Sequence, residues 1–455
     1  MDELYGQKLL ILGLARQGKA LARYASSVGA KVTISDLRPM STLKAELDDL
    51  KDCPIAYVLG EHPMSLLDDL DMMAVSGGVP LEAPLVQAAL ADGVTVTNDS
   101  QEFIKRSPTA VIGITGSAGK TTTTALTGVM SQVAGRTTWV GGNIGRPLIS
   151  DLDKMSKDDI VVQELSSFQL DLWERSPSIA AVLNITPNHL DRHKTMNAYV
   201  NAKANILRHQ TEDDTAVLCA DDPGSYALKS LVKGELRLYS LKHAVTNGAF
   251  VHENQIYLRN GKETAVCRAT EVQLKGQHNL LNVLAAITLA DSAGIPVDAM
   301  VQAIRTFKGV EHRLELVRNR EGVQWINDSI ATAPERAMAA LNAFEDESII
   351  LLAGGRDKDM HWDDWAQQLP DKVQHVILFG DLADLLEKKL AEHSGIKNLP
   401  SFMTRVETMD AAVETAVNQA VNGDIVLLSP GGTSYDAYKD FAERGEQFRE
   451  LVKNL

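Results

Sequence analysis

The sequence predicts an α/β protein built from three successive, mostly parallel sheets. Three observations carry that prediction. Short β-branched or aliphatic runs alternate with helix-compatible stretches along nearly the whole chain, the pattern of strands joined by crossover helices. A length of 455 residues corresponds to roughly three domains of about 150 residues. Two stretches interrupt the alternation, the polar segment up to Ser107-Pro108 and the segment Phe307–His312, which sets blocks of 1–98, 99–309 and 310–455.

In the first block, strands are predicted at Lys8–Leu12, Lys31–Ser35, Met72–Val75 and Val94–Thr97. Gly13, Ala15 and Gly18 follow the first strand, and Asp36 and Arg38 end the second. This resembles a Rossmann-like dinucleotide fingerprint, but Ala15 stands where the middle glycine normally admits a pyrophosphate. A nucleotide site and a plain tight turn both fit. The second glycine-rich loop, Ser76 to Pro80, ends another strand of the same block and favours binding.

The second block opens with the most informative stretch of the chain. The run Thr109–Ile114 leads into Gly116-Ser117-Ala118-Gly119-Lys120-Thr121-Thr122, and a helical pattern, Ala125–Val133, follows. Strand, glycine loop, lysine, threonine and helix in that order cradle nucleotide phosphates. Glycines let N–H groups approach the anion, the helix N-terminus adds its positive end, and Lys120 supplies a point charge. Thr121 is placed to hold Mg²⁺ through its hydroxyl. The match to the usual phosphate-loop pattern is imperfect, because Ile114 occupies the first glycine slot and Gly113 comes one residue early. The competing account is an ordinary glycine-rich βα turn.

Further strands are predicted at Thr137–Val140, Ile160–Gln163, Ile179–Ile185 and Ala216–Cys219. Glu164 ends one of them, the usual place for a carboxylate that organises Mg²⁺ beside a triphosphate, although an N-cap or turn role also fits. His189, Asp191 and His193 crowd the loop after the next, where a single histidine would be unremarkable and three polar groups are not. Lys203 falls on the polar face of a helical pattern and reads as a surface lysine from its spacing alone. Alternating runs around Asn247-Gly248 and Asn260-Gly261 predict β-hairpins, and Asn279–Ala293 predicts a long helix. The last block predicts strands at Val323–Ile326, Ser348–Ala353, His375–Phe379 and Asp424–Leu428.

Bulk composition narrows the function. Charged residues make up 23 % and hydrophobic ones 44 %, the balance of globular proteins. A net charge of −15 argues against a broad nucleic-acid or anionic-membrane surface. Cys53, Cys219 and Cys267 are distant and lack partner spacing, so free thiols in a reducing compartment are expected, with no disulfide framework or structural zinc. No apolar run approaches the ~18 residues of a membrane span, and Arg16 and Lys19 directly follow Leu9–Ala15, so a cytoplasmic location without membrane insertion is expected.

Taken together, these stretches resemble the Mur ligase family of ATP-dependent amide-forming enzymes. The matching pieces are GITGSAGKTTTT, GGNIG at Gly141–Gly145, VQELSSFQL, NITPNHLDRH, YVNAKANIL, GQHNLLN, VEHRLE, INDSIAT, LLAGGRDK and LSPGGTSYDAYKDFAERGEQF. They run in the family's order through all three blocks, and the family's looser loop, Gly-x-x-Gly-x-x-Gly-Lys-Thr, accommodates Ile114. Within the family the chain is most similar to the glutamate-adding members. It lacks the Asp-Asn-Pro-Arg acceptor motif of diaminopimelate ligases and carries an N-terminal domain that folylpolyglutamate synthases lack.

The resemblance implies a Rossmann-like first domain for a UDP sugar, a central phosphate-loop ATPase domain with a small β region, and a Rossmann-like amino-acid domain at the C-terminus. It implies ATP-dependent addition of D-glutamate to UDP-N-acetylmuramoyl-L-alanine through an acyl phosphate, in peptidoglycan synthesis, by a single chain. Lys203 then becomes a lysine carbamylated by CO₂, holding a second Mg²⁺ with His189 and Glu164. By the same resemblance, Asn279, Asn282, Arg313 and Asp328 contact ATP. Gly13, Asp36, Arg38, Ser76 and Asn143 hold the UDP sugar, and Thr332, Lys358, Ser434 and Phe441 the glutamate. Ile330 replaces a lysine common among glutamate ligases, which leaves the acceptor's configuration open, L-glutamate included. Ala118 replaces an asparagine at the cost of a side-chain amide only. A nucleotide-switched regulatory protein and a nicotinamide oxidoreductase are the readings from other classes.

Overall fold

The computed structural model describes residues 2–188, 190–274, 276–344, 348–358, 360–393, 395–396 and 398–455, with Leu190 and Asp191 described as backbone only. The chain separates into two units, Met1–Phe307 with two sheets and Lys308–Leu455 with one.

Fully apolar runs become central strands because crossover helices cover both faces of a parallel sheet. The first sheet contains β1 (Lys8–Leu12), β2 (Lys31–Asp36), β3 (Ile55–Leu59), β4 (Met72–Val75) and β5 (Thr95–Thr97), all parallel, in the order β3-β2-β1-β4-β5. The order reverses beside β1, so the loops after β1 and β4 diverge and leave a crevice at the strands' C-terminal ends. β3 lies outside the sequence expectation; it is a half-exposed edge strand whose alternation is weak. The stretch read as a polar linker is a helix, Asp99–Arg106, capped by Asn98. Its polar side chains are buried but paired: Asn98 Nδ2 donates to Gln169 O at 2.7 Å, and Thr97 Oγ1 to Glu102 Oε1 at 2.7 Å. Polarity is a poor guide to exposure where every group finds a partner.

The second sheet has nine strands: β6 (Val111–Thr115), β7 (Thr138–Gly142), β8 (Ile160–Glu164), β9 (Ile179–Val182), β10 (Thr215–Cys219), β11 (Glu235–Ser240), β12 (Gly248–His252), β13 (Gln255–Asn260) and β14 (Lys262–Arg268). Their order is β14-β13-β12-β11-β10-β9-β6-β8-β7, parallel except for the β12–β13 and β13–β14 pairs. The hairpin expectation needs one correction. Asn260-Gly261 is a hairpin turn, but Asn247-Gly248 begins a strand parallel to β11. The first hairpin turns at Glu253 and Asn254, both at positive φ, where Asn is the tolerant partner. The helix Gln277–Ser292 packs on the helix Lys120–Val133, and every residue from Asn282 to Ala290 is buried.

The third sheet, β15 (Glu315–Arg320), β16 (Val323–Asn327), β17 (Ile349–Gly354), β18 (His375–Phe379), β19 (Met403–Arg405) and β20 (Ile425–Gly431), runs β15-β16-β20-β17-β18-β19. Only β15 is antiparallel, joined to β16 through Glu321 and Gly322, both at positive φ. All three cysteines are free. Among the described residues no helix is long and apolar enough to cross a membrane.

Candidate active site

β6 occupies the switch point of the second sheet, between β9 and β8, and the loop 116–119 leaves its C-terminal end. Gly119 adopts φ +81° and starts the helix Lys120–Val133. A Cβ there would lie 2.2 Å from Asn282 Oδ1, so only glycine fits. The loop is held to the segment that leaves the C-terminal end of β9. Ser117 N donates to Asn184 O at 3.0 Å, Ala118 N to Asn184 Oδ1 at 2.8 Å, and Asn184 Nδ2 returns a bond to Ala118 O at 3.1 Å. The Ala118 amide is therefore engaged within the protein. Lys120 Nζ folds back onto Gly116 O at 2.8 Å and Ser117 O at 3.1 Å. Thr121 and Asn282 are buried, and Asn282 Nδ2 donates to Asn279 Oδ1 at 3.2 Å, which places both asparagines at this end of their helix.

Two charged groups converge behind the loop. Glu164, 2 % exposed at the end of β8, accepts from Asn143 Nδ2 at 2.8 Å through Oε1. Its Oε2 is buried without a hydrogen-bond partner among the described residues. Lys203 is 1 % exposed on the helix Met196–Arg208. Its Nζ donates to Gly116 O at 2.8 Å and Thr115 Oγ1 at 3.3 Å, and lies 4.7 Å from the Tyr199 ring centre. Burial, then the charge of Lys120, pushes its pKa well below that of an ordinary lysine, against the pull of Glu164. The surface-lysine reading from spacing is thus overturned: the apolar residues flanking Lys203 turn this helix face inward, and Lys203 goes with it. Tyr199 OH bonds Ser117 Oγ at 2.9 Å, tying this helix to the phosphate loop.

A buried carboxylate oxygen without a hydrogen-bond partner among the described residues is the kind of oxygen donor that a hard divalent cation takes. Among the described residues no three His, Cys, Asp or Glu side chains cluster as a metal site. His189 lies outside the described residues, as does the side chain of Asp191. His193 is buried; its Nε2 bonds Ser167 Oγ at 2.9 Å and its ring stacks on Phe168 at 5.0 Å.

At the first sheet, Ser76 Oγ donates to Gly13 O at 3.1 Å, so the two glycine loops meet. Asp36 spends its oxygens on Leu14 N at 2.7 Å and on Arg38, whose Nε and Nη2 lie at 3.0 and 2.8 Å. Burial opposes the Asp36 charge, but Arg38 and these amides outweigh it and hold the carboxyl below its usual range. Asp36 shapes the loop and aims Arg38, which stays half-exposed. A cleft of about 120 Å³ separates the loop after β4 from the second sheet, bordered by Ser76, Gly77, Phe168, Asp171, Arg192 and His193. Burial and the charge of Glu82 push the Asp171 carboxyl up to about 6.

In the second unit the expected residues gather at the C-terminal ends of β16, β17 and β20. Asp328 accepts from Leu314 N at 3.1 Å and Ser429 Oγ at 3.0 Å, and burial pushes its carboxyl up to about 7. Lys358 Nζ sits 5.1 Å from the Tyr435 ring centre, Ser434 is buried after β20, and Thr332 is half-buried before the helix Pro334–Leu341. The Phe441 carbonyl accepts from Ser329 Oγ at 2.7 Å. Arg313 belongs to the turn before β15. Sequence reasoning passed over Arg444, which is fully buried and donates to Ser329 Oγ, Ser329 O and Gly432 O at 3.0, 2.9 and 3.1 Å. It also passed over Asn184, Tyr199 and Arg16. Each lies inside or beside a quoted motif, but nothing in its spacing marks a side chain that braces a loop.

Three family models match the chain: Mur ligase MurD-like, N-terminal domain over residues 7–98, Mur ligase middle domain over 114–290, and Mur ligase, glutamate ligase domain over 312–432. A UDP-N-acetylmuramoylalanine--D-glutamate ligase of Caldanaerobacter subterraneus subsp. tengcongensis is 38 % identical over 454 residues, spanning 100 % of this chain and 99 % of that protein. The chain belongs to the Mur ligase family. A ligase of the same name from Clostridium botulinum is 37 % identical over 100 % of this chain and 98 % of its own. Mur ligase structures share the fold at lower identity. A UDP-N-acetylmuramate-alanine ligase, MurC, from Thermotoga maritima aligns with TM-score 0.55 and 21 % identity over 98 % of this chain and 99 % of its own. A pseudomurein peptide ligase type C from Methanothermus fervidus aligns at 0.52 and 19 %, over 99 % and 100 %. The three-domain α/β architecture is thus that of the Mur ligases. The middle-domain match contains Lys120, Glu164, Lys203, Asn279 and Asn282.

Proposed function

We propose that this Mur ligase is an ATP-dependent, amide-forming enzyme that adds D-glutamate to UDP-N-acetylmuramoyl-L-alanine in peptidoglycan synthesis. One observation supports the chemistry above the rest: Lys203 and Glu164 are buried against the loop that carries Lys120. A carboxylate and an amine do not condense unaided at neutral pH. In this reading the substrate carboxylate attacks the γ-phosphorus of ATP and ADP leaves, forming an acyl phosphate. The glutamate nitrogen then attacks the acyl carbon, phosphate leaves, and the nitrogen gives up its extra proton to solvent.

The protein's contribution is positioning and charge. Lys120 swings from the Gly116 and Ser117 carbonyls to the triphosphate, where its charge offsets two anions brought together. Glu164 and Thr121 are the side chains that would hold Mg²⁺, which when bound neutralises the phosphates. Lys203, whose pKa burial lowers, would carry a CO₂-derived carbamate and with His189 would hold the second cation. Asn279 and Asn282 from the middle domain, and Arg313 and Asp328 from the second unit, serve ATP. Gly13, Arg38, Ser76 and Asn143 serve the UDP sugar, Asp36 acting by holding Arg38. Thr332, Lys358, Ser434 and Phe441 serve glutamate. A water-excluding site protects the acyl phosphate from hydrolysis. The enzyme works as a monomer in the cytoplasm, with domains at 1–98, 99–309 and 310–455.

The deciding experiment incubates the chain with ATP, Mg²⁺, UDP-N-acetylmuramoyl-L-alanine and each glutamate enantiomer, followed by mass spectrometry. D-Glutamate is expected to yield the ligated product with equimolar phosphate. Ile330, half-buried where the family resemblance leads one to expect lysine, favours one second reading, an L-glutamate acceptor, and the same assay scores it. Nucleotide turnover indifferent to both substrates would leave a nucleotide-switched regulator instead.

A further inference from the structure

Arg16 is the first residue of the helix Arg16–Ser27 and stands directly after the Gly13 loop of the first sheet. Its guanidinium reaches across to the second sheet, where Nη1 donates to Gly145 O and Nη2 to Asn143 O at 3.3 Å. The segment it grips leaves β7 as a tight turn. Gly142 and Gly145 both have positive φ, and Gly142 N donates to Arg146 O at 3.2 Å. The far end of the turn is tethered by Arg146 Nε to Asp151 at 2.9 Å. On its inner side, Asn143 N donates to Glu164 O at 2.9 Å and Asn143 Nδ2 to Glu164 Oε1 at 2.8 Å. One face of the turn therefore presents carbonyls to Arg16 while the other presents an amide to Glu164.

We propose that Arg16 is a positioning residue: by clamping the Asn143 and Gly145 carbonyls it orients the Asn143 amide, which leaves Glu164 Oε2 aimed at the cation site. The proposal rests on the ligase reading above. Two glycines make this turn permissive, so its shape depends on the groups that hold it. A guanidinium is suited to that task, because its planar fork engages two acceptors at once where an ammonium presents a compact point charge. A carboxylate that accepts one bond through Oε1 keeps Oε2 free in a fixed direction. Losing the Asn143 bond lets the carboxylate rotate and share both oxygens. Arg16 also sits on the loop expected to receive the diphosphate of the UDP sugar. The clamp is thus placed where occupancy of the first domain reaches the carboxylate of the second.

The test uses the full chain and the variants Arg16→Ala, Arg16→Lys, Asn143→Ala and Arg16→Ala/Asn143→Ala. The first readout is binding of Mn²⁺ in the presence of a non-hydrolysable ATP analogue, followed by the spin-resonance signal of free Mn²⁺. Outer-shell partners of a cation ligand are worth roughly 10–100-fold in affinity, and Arg16 stands one step further out, so Arg16→Ala is expected to weaken Mn²⁺ binding about tenfold. kcat should fall alongside, and guanidinium chloride at low millimolar concentration should restore part of both. In the Asn143→Ala background, removing Arg16 should cost nothing further. Unchanged Mn²⁺ affinity with a raised KM would overturn the proposal and make Arg16 a direct substrate contact. Equal losses in both backgrounds would also overturn it. If Arg16→Ala fails to fold, Arg16→Lys carries the comparison: it keeps the charge but loses the fork, and wild-type Mn²⁺ affinity in it would refute the clamp. A wild-type chain that ligates no glutamate sinks the functional reading alone, since the Mn²⁺ titration still scores Arg16.

Discussion

Replacing Gly119 by alanine isolates what the phosphate loop demands of its backbone. At φ +81° an alanine is in the left-handed region, which costs an L-residue roughly 1–2 kcal/mol. The new Cβ would stand 2.2 Å from Asn282 Oδ1. Asn282 is buried and bonded to Asn279, so moving it aside forfeits about 1 kcal/mol of hydrogen bonding. The sum is about 2–3 kcal/mol. For a domain of roughly 200 residues that corresponds to a fall in Tm of about 5–10 °C. The assay is a thermal melt by circular dichroism, with and without MgATP, on Gly119→Ala, Asn282→Ala and the double variant. In the Asn282→Ala background the steric part vanishes and only the backbone cost should remain. Identical costs of Gly119→Ala in both backgrounds would refute the reasoning, because neighbours in contact must couple. So would an unchanged melt in the single variant.

Other perturbations read different parts of the site. Lys203→Ala should abolish ligation nearly completely, with partial recovery on adding short carboxylates; full activity without rescue removes the carbamate. Lys120→Gln should lower kcat by about 10²–10³-fold, the usual worth of one charged or oriented donor aimed at developing charge, checked by phosphate release under saturating ATP. Asp328 has a folded pKa raised to about 7. Its contribution is fully present below the unfolded carboxyl value and is lost as pH rises through the folded one. The second unit should therefore become easier to denature as pH rises from about 4 to 7, and Asp328→Asn should flatten that slope. For the acceptor, D- and L-glutamate rates should differ by orders of magnitude; equal rates would mean that the pocket around Thr332, Lys358, Ser434 and Phe441 is misassigned.

What the sequence conveyed and what it hid separate along physical lines. Central parallel strands such as Ile349–Gly354 are apolar throughout and could be read directly. Glu315–Arg320 could not: as an antiparallel edge beside a Glu321-Gly322 turn it is mostly polar and half-exposed. Glu253-Asn254 makes a hairpin turn, yet Asn247-Gly248 carries the stronger local signal and makes none, because the chain there continues a parallel ladder. At the site, Lys120 and Glu164 followed from their place after strands. The burial of Lys203 depends on a helix docking behind the phosphate loop, a long-range fact that spacing does not encode. The same holds for Arg16 and Arg444, whose bonds span 129 and 115 residues of sequence.

The helix that carries Asn279 and Asn282 is walled in along its middle, with nine consecutive residues from Asn282 to Ala290 shielded from solvent. A rod enclosed in that way has no room to rock when a guest arrives. The floor of the nucleotide cradle is cast before ATP reaches it, and little disorder remains there to be frozen out on docking. Whatever yields during turnover lies outside that floor.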